Sequence, residues 1–193
     1  MEFKKIQLNG FKSFAEKTNF LIEKGLTGIV GPNGCGKSNI VESLRWCMGE
    51  TSAKSMRGSG MEDVIFSGTS NKPSKNIAEV VLSLNNENKD GPHQYNDLEE
   101  IEIRRKIEKD KGSKFYINNK EVRAKDAQMF FADLSTGAHS PSLISQGRIG
   151  ALVTAKPSDR RAILEEAAGI AGLHVRRHEA EIRLGAAENN LKR

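Results

Sequence analysis

The sequence predicts an α/β fold in which a glycine-rich loop joins a short strand to a helix. Strand and helix patterns alternate through the first third of the chain, and residues 31–38 read Gly-Pro-Asn-Gly-Cys-Gly-Lys-Ser. The composition agrees, because 193 residues with 37% hydrophobic and 28% charged side chains are typical of a globular protein rather than a membrane or disordered one. A chain of this length can bury an apolar core without disulfides or a structural metal.

Charge and cysteine content narrow the class of protein further. The formal net charge is +5, a mild basic bias that is compatible with binding to a polyanion. No apolar run approaches the roughly 18 residues that a membrane-spanning helix needs. The N-terminus has no secretory pattern, and the two cysteines, Cys35 and Cys47, imply no disulfide framework. We therefore expect a cytoplasmic protein that does not associate with a membrane.

The elements follow in chain order from hydrophobic periodicity. Alternating or β-branched runs predict strands at residues 3–8, 18–22, 26–30, 63–66, 77–84, 101–107 and 114–118. Helical spacing predicts helices at residues 38–48, 124–134 and 158–168, the first of them stopped by Gly49. Residues 118–120 predict a hairpin turn, and the polar residues 85–97 predict a surface loop. From residue 174 the spacing of Ala180, Leu184, Ala187 and Leu191 is that of a short heptad seam or of an ordinary surface helix.

The segment at residues 31–38 matches G-x-x-x-x-G-K-[ST] and lies between a predicted strand and a predicted helix. Gly34 and Gly36 allow backbone N–H groups to turn towards phosphate oxygens. The N-terminus of the following helix adds unpaired donors and partial positive charge. Lys37 is expected to reach the β- and γ-phosphates, and the Ser38 hydroxyl is a suitable ligand for Mg²⁺. The sequence therefore predicts a P-loop that binds a nucleoside triphosphate.

Other parts of a hydrolytic site are missing from the sequence. Asp133 follows apolar residues, but their spacing is helical, so we do not interpret it as the acid that completes a Mg²⁺ site. Residues 134–137 and 143–147 imitate the Leu-Ser-Gly-Gly signature loop of ABC-type ATPases without matching it. Gln146 stands where such enzymes carry a Mg²⁺-contacting glutamine, although taken alone it is more often an ordinary loop residue.

Taken together, several motifs resemble one family. Gly-Phe-Lys-Ser-Phe at residues 10–14, the phosphate loop, Lys-Ser-Met-Arg-Gly at 54–58, Met-Glu-Asp-Val-Ile-Phe at 61–66, Ile-Ser-Gln-Gly-Arg at 144–148 and the run 160–170 occur in that order. They resemble the N-terminal half of the head of a bacterial SMC (structural maintenance of chromosomes) protein. The resemblance extends over essentially the whole chain and is weakest in the loop at 85–97.

The resemblance implies a fold and a set of partners. It implies an ABC-type P-loop NTPase lobe at residues 1–170, with a mixed sheet and an antiparallel β lobe, and the start of a coiled-coil arm at 171–193. The C-terminal half of the same head would supply the signature loop and the catalytic acid. Two heads would sandwich ATP and Mg²⁺ as a homodimer that binds DNA and a kleisin-type subunit, and that condenses and segregates chromosomes at the nucleoid. The chain alone is then expected to be inactive.

The resemblance also assigns roles to individual residues. Lys37, Gln146 and Arg57 would act in catalysis, and Ser38 and Gln146 would hold Mg²⁺. For Arg57 the competing hypothesis is a solvated basic turn. The residues expected to line the nucleotide are Lys12, Ser13, Pro32, Asn33, Gly34, Cys35, Gly36, Lys37, Ser38 and Asn39.

Two other functions stay open at this stage. One is a related coiled-coil ATPase of DNA double-strand-break repair, which the tip of the arm would distinguish. The other is a complete small P-loop kinase or GTPase, which would need an acidic strand or a base-recognition motif. His174 and His178 lie four residues apart, but no third ligand at matching spacing supports a metal site.

Overall fold

The computed structural model describes residues 1–89, 91–134, 143–144, 150, 153–168 and 171–191. The chain divides into two compact units, Met1–Gln128 and Met129–Arg193. Each unit is described by itself.

The first unit is built on a six-stranded sheet in the order β2-β1-β3-β4-β5-β6. Every pairing between these strands is antiparallel, as predicted for the β lobe. The strands are β1 (Glu2–Asn9), β2 (Thr18–Leu21), β3 (Ile77–Asn85), β4 (Glu100–Glu108), β5 (Gly112–Ile117) and β6 (Lys120–Val122).

The alternation in the sequence explains where these strands lie in the sheet. In β4, Ile101, Ile103 and Ile107 are buried and the polar residues between them are partly exposed, except at Arg105. Most of β3 is buried because it lies between β1 and β4. The β5–β6 hairpin turns at Asn118 and Asn119, whose φ angles of 48° and 65° suit the tight turn that the sequence predicted.

Helix α1 (Lys37–Cys47) lies against the middle of the sheet. The thiol of Cys47 is directed at the backbone carbonyls of Val80 and Ile103, 3.7 Å from each oxygen. Burial raises the pKa of this thiol to about 12, so the side chain stays neutral. Trp46 is fully buried, with its ring centroid 5.5 Å from that of Phe11. These contacts fix the helix that follows the phosphate loop on a rigid base.

Helix α2 (Ala124–Asp133) has the helical structure that the sequence predicted, so Asp133 does not follow a strand. Within the first unit, Ala127 is buried, and the Gln128 side chain donates a hydrogen bond of 2.8 Å to the Gly49 carbonyl. Gly49 has a φ of 103°, and a Cβ there would lie 2.4 Å from the Gln128 side chain. The glycine that ends α1 is therefore required both by its backbone angle and by its neighbour.

Two predicted strands are wrong. Residues 26–30 pair with no strand in the described structure, and Leu26 and Val30 are almost fully exposed. Their β-branched, apolar composition favours a strand, but a strand forms only where a neighbour offers a hydrogen-bonding edge. Residues 61–64 form a 3-10 turn instead of a strand, and Ile65 makes one isolated bridge to Phe11.

The turn at residues 61–64 has a local cause. One carboxylate oxygen of Asp63 accepts hydrogen bonds from the backbone N–H of Ser59 (2.6 Å), the Ser59 hydroxyl (2.8 Å) and the N–H of Gly60 (3.0 Å). These bonds lower the pKa of Asp63, and they offer the backbone an alternative to a sheet ladder. The aspartate therefore folds the segment back on itself.

In the loop predicted at residues 85–97, Asn86 is buried and organises the backbone around it. Its amide donates to the carbonyls of Tyr95 (3.1 Å) and Leu98 (2.8 Å), and its oxygen accepts from the N–H of Gly91 (3.1 Å). The polar composition predicted a surface loop correctly but did not reveal this anchor.

The second unit contains α3 (Pro157–Ala167) and α4 (Ala171–Leu191). Helix α4 has 21 residues, about 31 Å of helix at 1.5 Å per residue. The four predicted seam positions, Ala180, Leu184, Ala187 and Leu191, are all exposed. Among the described helices, none is long and apolar enough to cross a membrane.

Arg105 connects the C-terminal end of α1 to the sheet. Its guanidinium is buried and donates hydrogen bonds of 2.7 Å to the carbonyls of Trp46 and Glu50. The same group lies 4.5 Å from the ring centroid of Trp46 and 4.6 Å from that of Phe115. Burial lowers its pKa to about 10, which leaves it charged at neutral pH. One side chain thus satisfies carbonyls at the helix end and fills the space between two aromatic rings.

We expect Arg105→Met to lower the free energy of unfolding by about 3 kcal/mol, because the carbonyls of Trp46 and Glu50 lose a charged donor and only the Trp46 carbonyl keeps another, the Gly49 N–H at 3.1 Å. Urea unfolding followed by circular dichroism measures the change. The matched control is Arg104→Met on the opposite side of β4, where the arginine is partly exposed and its ion pair with Glu79 spans 3.7 Å. We expect that control to cost about 1 kcal/mol or less. Equal losses in the two variants would contradict the role of Arg105.

Candidate functional site

The predicted phosphate loop runs directly into α1. Gly34 and Gly36 adopt φ angles of 82° and 95°, a left-handed region that favours glycine. Gly36 occupies the N-cap position of α1, where no side chain accepts a hydrogen bond from the helix, and the first turn contains no acidic residue. The N–H group of Asn39 donates to the Gly36 carbonyl at 2.9 Å, so the N–H groups of Lys37 and Ser38 and the positive end of the helix dipole are left for an anion.

Gly36 is also held by its surroundings. A Cβ on this residue would lie 2.5 Å from the Ser13 hydroxyl oxygen and 3.5 Å from the ring of Phe14. Side chains of the segment between β1 and β2 therefore lie close to the phosphate loop. This proximity places Ser13 next to the loop, and its assignment to the nucleotide, like that of Lys12, stays a prediction.

The ammonium group of Lys37 is turned back over the loop. It donates hydrogen bonds of 2.6 Å to the carbonyls of both Gly31 and Pro32 and lies 3.9 Å from the sulfur of Cys35. Carbonyl oxygens are weaker partners for an ammonium than phosphate oxygens, which carry full charge. The arrangement therefore holds the lysine beside the loop and leaves it able to exchange partners.

A chain of hydrogen bonds joins three residues that the sequence analysis placed at the nucleotide. The Asn39 amide donates to the Ser13 hydroxyl at 2.9 Å. Arg57 donates to the Asn39 oxygen at 3.2 Å. Residues from three separate segments thus meet beside the first turn of α1.

Glu42 is a site residue that the sequence analysis missed. It lies on α1 four residues after Ser38, and it is buried. One carboxylate oxygen pairs with the ammonium of Lys12 and the other with the guanidinium of Arg57. One feature of the sequence could have identified Glu42 as a site residue. This glutamate lies one helical turn after the loop, on a helix predicted to pack against a sheet, and a carboxylate is seldom buried there without a partner.

The turn that carries Arg57 is tightly constrained. Arg57 ends a short 3-10 turn at Lys54–Met56 and has a φ of 55°. Its N–H donates to the Lys54 carbonyl at 3.0 Å, and the carboxylate of Asp63 fixes the residues that follow. These bonds fix the backbone at Arg57, whose side chain is 60% exposed, and its role at a nucleotide stays a prediction beside the alternative of a solvated turn.

The remaining predicted residues divide into two groups. Pro32, Asn33, Cys35 and Ser38 lie in the loop or at the start of α1, where exposed backbone and the Ser38 hydroxyl suit a phosphate with its metal ion. Gln146 lies outside the described residues, so its assignment as a Mg²⁺ ligand stays a prediction. Within the described part of the chain, no group of three or more His, Cys, Asp and Glu side chains could hold a metal by itself.

Comparisons with known proteins show which family and fold the chain resembles. A family model, the RecF/RecN/SMC N terminal domain, matches residues 2–147. The chromosome partition protein Smc of Rhodopseudomonas palustris is 58% identical over 193 residues, which is 100% of this chain and 17% of that protein. The chain thus spans about one sixth of the length of this curated relative.

Solved structures show the same fold. An Smc head domain from Pyrococcus furiosus, with an extended coiled coil and bound to the C-terminal domain of ScpA, has a TM-score of 0.81 and 33% identity. That match covers 100% of this chain and 48% of the other. A second solved structure comes from work on the ATP-driven dimerization and DNA-stimulated activation of SMC ATPases. It has a TM-score of 0.74 and 32% identity, and the match covers 86% of this chain and 99% of that one. The likeness confirms the predicted class, an α/β ABC-type head lobe.

We expect Gly36→Ala to abolish measurable binding of a fluorescent ATP analogue. A Cβ at this backbone angle costs about 1–2 kcal/mol, and it displaces Ser13 or the loop itself. Equilibrium titration measures the binding, and thermal unfolding reports the strain. Gly28→Ala is the control, because a Cβ there meets nothing within 4 Å. Binding by Gly36→Ala as tight as by the Gly28→Ala control would exclude this loop as the phosphate site.

Proposed function

Because the chain belongs to the RecF/RecN/SMC N-terminal domain family, we propose that it is the ATP-binding lobe of a chromosome-organising ATPase head. The observation that carries the proposal is the uncapped start of α1 behind two left-handed glycines, with Lys37 poised on the loop. This is the arrangement that a triphosphate requires, since it offers backbone donors, a helix dipole and a mobile cation at one point.

The residues of the lobe divide the work of binding. Backbone N–H groups of the loop hold the phosphates, and Lys37 leaves the carbonyls of Gly31 and Pro32 to reach them. Ser38 and Gln146 hold Mg²⁺, which would bridge phosphate oxygens and neutralise charge that develops during transfer. Arg57 contributes a permanent charge and a planar fork suited to phosphate. The assignment of Gln146 rests on the resemblance alone.

The lobe needs a complement to become an enzyme. Leu26, Ile29 and Val30 are apolar and exposed immediately before the phosphate loop. A strand-forming sequence in this position would pair with a sheet from another segment, and burial of each such side chain is worth about 1.5–3 kcal/mol. We assign the segment that pairs with residues 26–30 to the C-terminal part of the same head, since the curated relative is about six times as long as this chain. That part would also bring the signature loop and the catalytic acid.

The assembly would place two heads face to face around ATP. ATP-driven dimerization and DNA stimulation are described for SMC ATPases of the same fold, and ScpA binds the related head from Pyrococcus furiosus. For this chain we propose a homodimer that uses ATP to organise and segregate chromosomal DNA at the nucleoid, with a kleisin-type subunit as its partner. Helix α4, whose apolar seam positions are exposed, would begin the coiled-coil arm.

We expect Lys37→Ala to weaken binding of ATP with Mg²⁺ by at least about tenfold, because the site loses the cation that faces the phosphates. Isothermal calorimetry on the chain joined to its C-terminal complement measures the affinity. The control is Lys109→Ala, which removes an exposed lysine from the turn between β4 and β5. An unchanged affinity in the folded Lys37→Ala protein would refute the proposed site.

We expect the 193-residue chain alone to show no enzymatic ATP hydrolysis, since it lacks a catalytic acid and a signature loop. Addition of the C-terminal complement should restore phosphate release. The rate should then rise more than linearly with protein concentration, because two heads must meet. Turnover by the chain alone at about one per second, which is a kinase-like rate, would instead favour a complete small P-loop enzyme.

A further inference from the structure

We propose that Glu42 is a positioning residue that holds the guanidinium of Arg57 beside the first turn of α1 until phosphate replaces it as the partner. The inference rests on the proposed function and goes beyond it, because it names the group that sets the position of the Arg57 guanidinium before a nucleotide binds. The observation behind it is a buried carboxylate whose two oxygens pair with cations from two different loops.

The two cations on Glu42 are not equivalent. The Lys12 side chain is 13% exposed and also donates to the Met56 carbonyl, so it is enclosed. The Arg57 side chain is 60% exposed, and one terminal nitrogen, Nη2, makes both of its contacts with α1, to Glu42 and to Asn39. Lys12 therefore neutralises the carboxylate at all times, because a buried charge left alone is costly. Arg57 is the partner that is free to leave.

The backbone supports the same interpretation. Lys12 has a φ of 47° and Arg57 a φ of 55°, which side-chain-bearing residues other than Asn and Asp seldom adopt. Such angles persist where the surrounding structure imposes them, and they concentrate at functional sites. Here they accompany two basic side chains that pair with different oxygens of one carboxylate on α1.

The position of this contact gives it a function. Glu42 and Asn39, the two partners of the Arg57 guanidinium, both lie within the first two turns of α1. The guanidinium is therefore held next to the place where the loop presents its N–H donors. A bound triphosphate competes with Glu42 for the same fork, and the contact sets both the starting position of the arginine and the strength of that competition.

Loss of the carboxylate should separate binding from turnover. In Glu42→Gln the two cations keep their charge without their anion, so we expect ATP to bind about threefold to tenfold more tightly. Arg57 is no longer guided, so turnover should fall by about tenfold or more. A residue that only supports folding would weaken binding and turnover together.

The experiment is a double-mutant cycle in the full-length protein, with Glu42→Gln, Arg57→Ala and the pair compared for ATP affinity and kcat. If Glu42 acts through Arg57, its substitution should change kcat by less than about twofold once Arg57 is absent. The matched control is Glu50→Gln, a buried carboxylate at the other end of α1 that pairs with Arg45 at 3.1 Å. Its effect on kcat should be equally large with and without Arg57.

Additive losses from Glu42→Gln and Arg57→Ala would overturn the inference, and so would a Glu42→Gln protein whose kcat stays within twofold of the parent. If Glu42→Gln does not fold, Glu42→Asp keeps the charge but withdraws it by one methylene group, and the same cycle applies with a smaller effect. Failure of the parent protein to bind ATP would instead refute the proposed function. The two failures are therefore distinguishable.

Discussion

The buried guanidinium of Arg105 is the interaction on which the rest of the lobe depends. It lies on β4, caps the carbonyls at the end of α1 and fills the space between the rings of Trp46 and Phe115. A helix that follows a flexible glycine loop needs a fixed far end, because otherwise its N-terminus would wander relative to any ligand. The thiol of Cys47 and the amide of Gln128 reinforce the same end. Rigidity at one end of α1 thus permits openness at the other.

The phosphate end of α1 is organised by the opposite principle, since its polar groups have partners that they are able to exchange. The Lys37 ammonium rests on backbone carbonyls, and the guanidinium of Arg57 rests on Glu42 and Asn39. Such exchangeable partners keep the cations oriented at little cost, which is how a site for an anion would be made ready before the anion arrives. The same helix therefore combines a permanent anchor with a set of replaceable contacts.

Sequence patterns predicted the structural elements that are set by residues close together in the chain. The glycine-rich loop, α1, the central strands and the Asn118–Asn119 turn are encoded by local spacing, and the structure confirms these elements. That the loop binds phosphate stays a prediction. Two of the failures required information from distant parts of the chain, and one depended on a side chain close by in the sequence. Residues 26–30 lack a strand partner here, Asp63 folds residues 61–64 through its side chain, and Glu42 becomes a site residue only because two distant loops bring their cations to it. A glutamate on a helix has no sequence property that distinguishes such a role from a solvated one.

The exposed apolar segment before the phosphate loop has a consequence for biosynthesis. If its complement is the C-terminal part of the head, this lobe leaves the ribosome long before that part exists. The curated relative is about six times as long as this chain, and at about 5–20 residues per second its remainder takes on the order of one to three minutes to make. During that interval Leu26 and Val30 stay in contact with water, or with whatever chaperone covers them. The order of synthesis, as well as the stability of the finished protein, therefore limits how hydrophobic and aggregation-prone this segment can be.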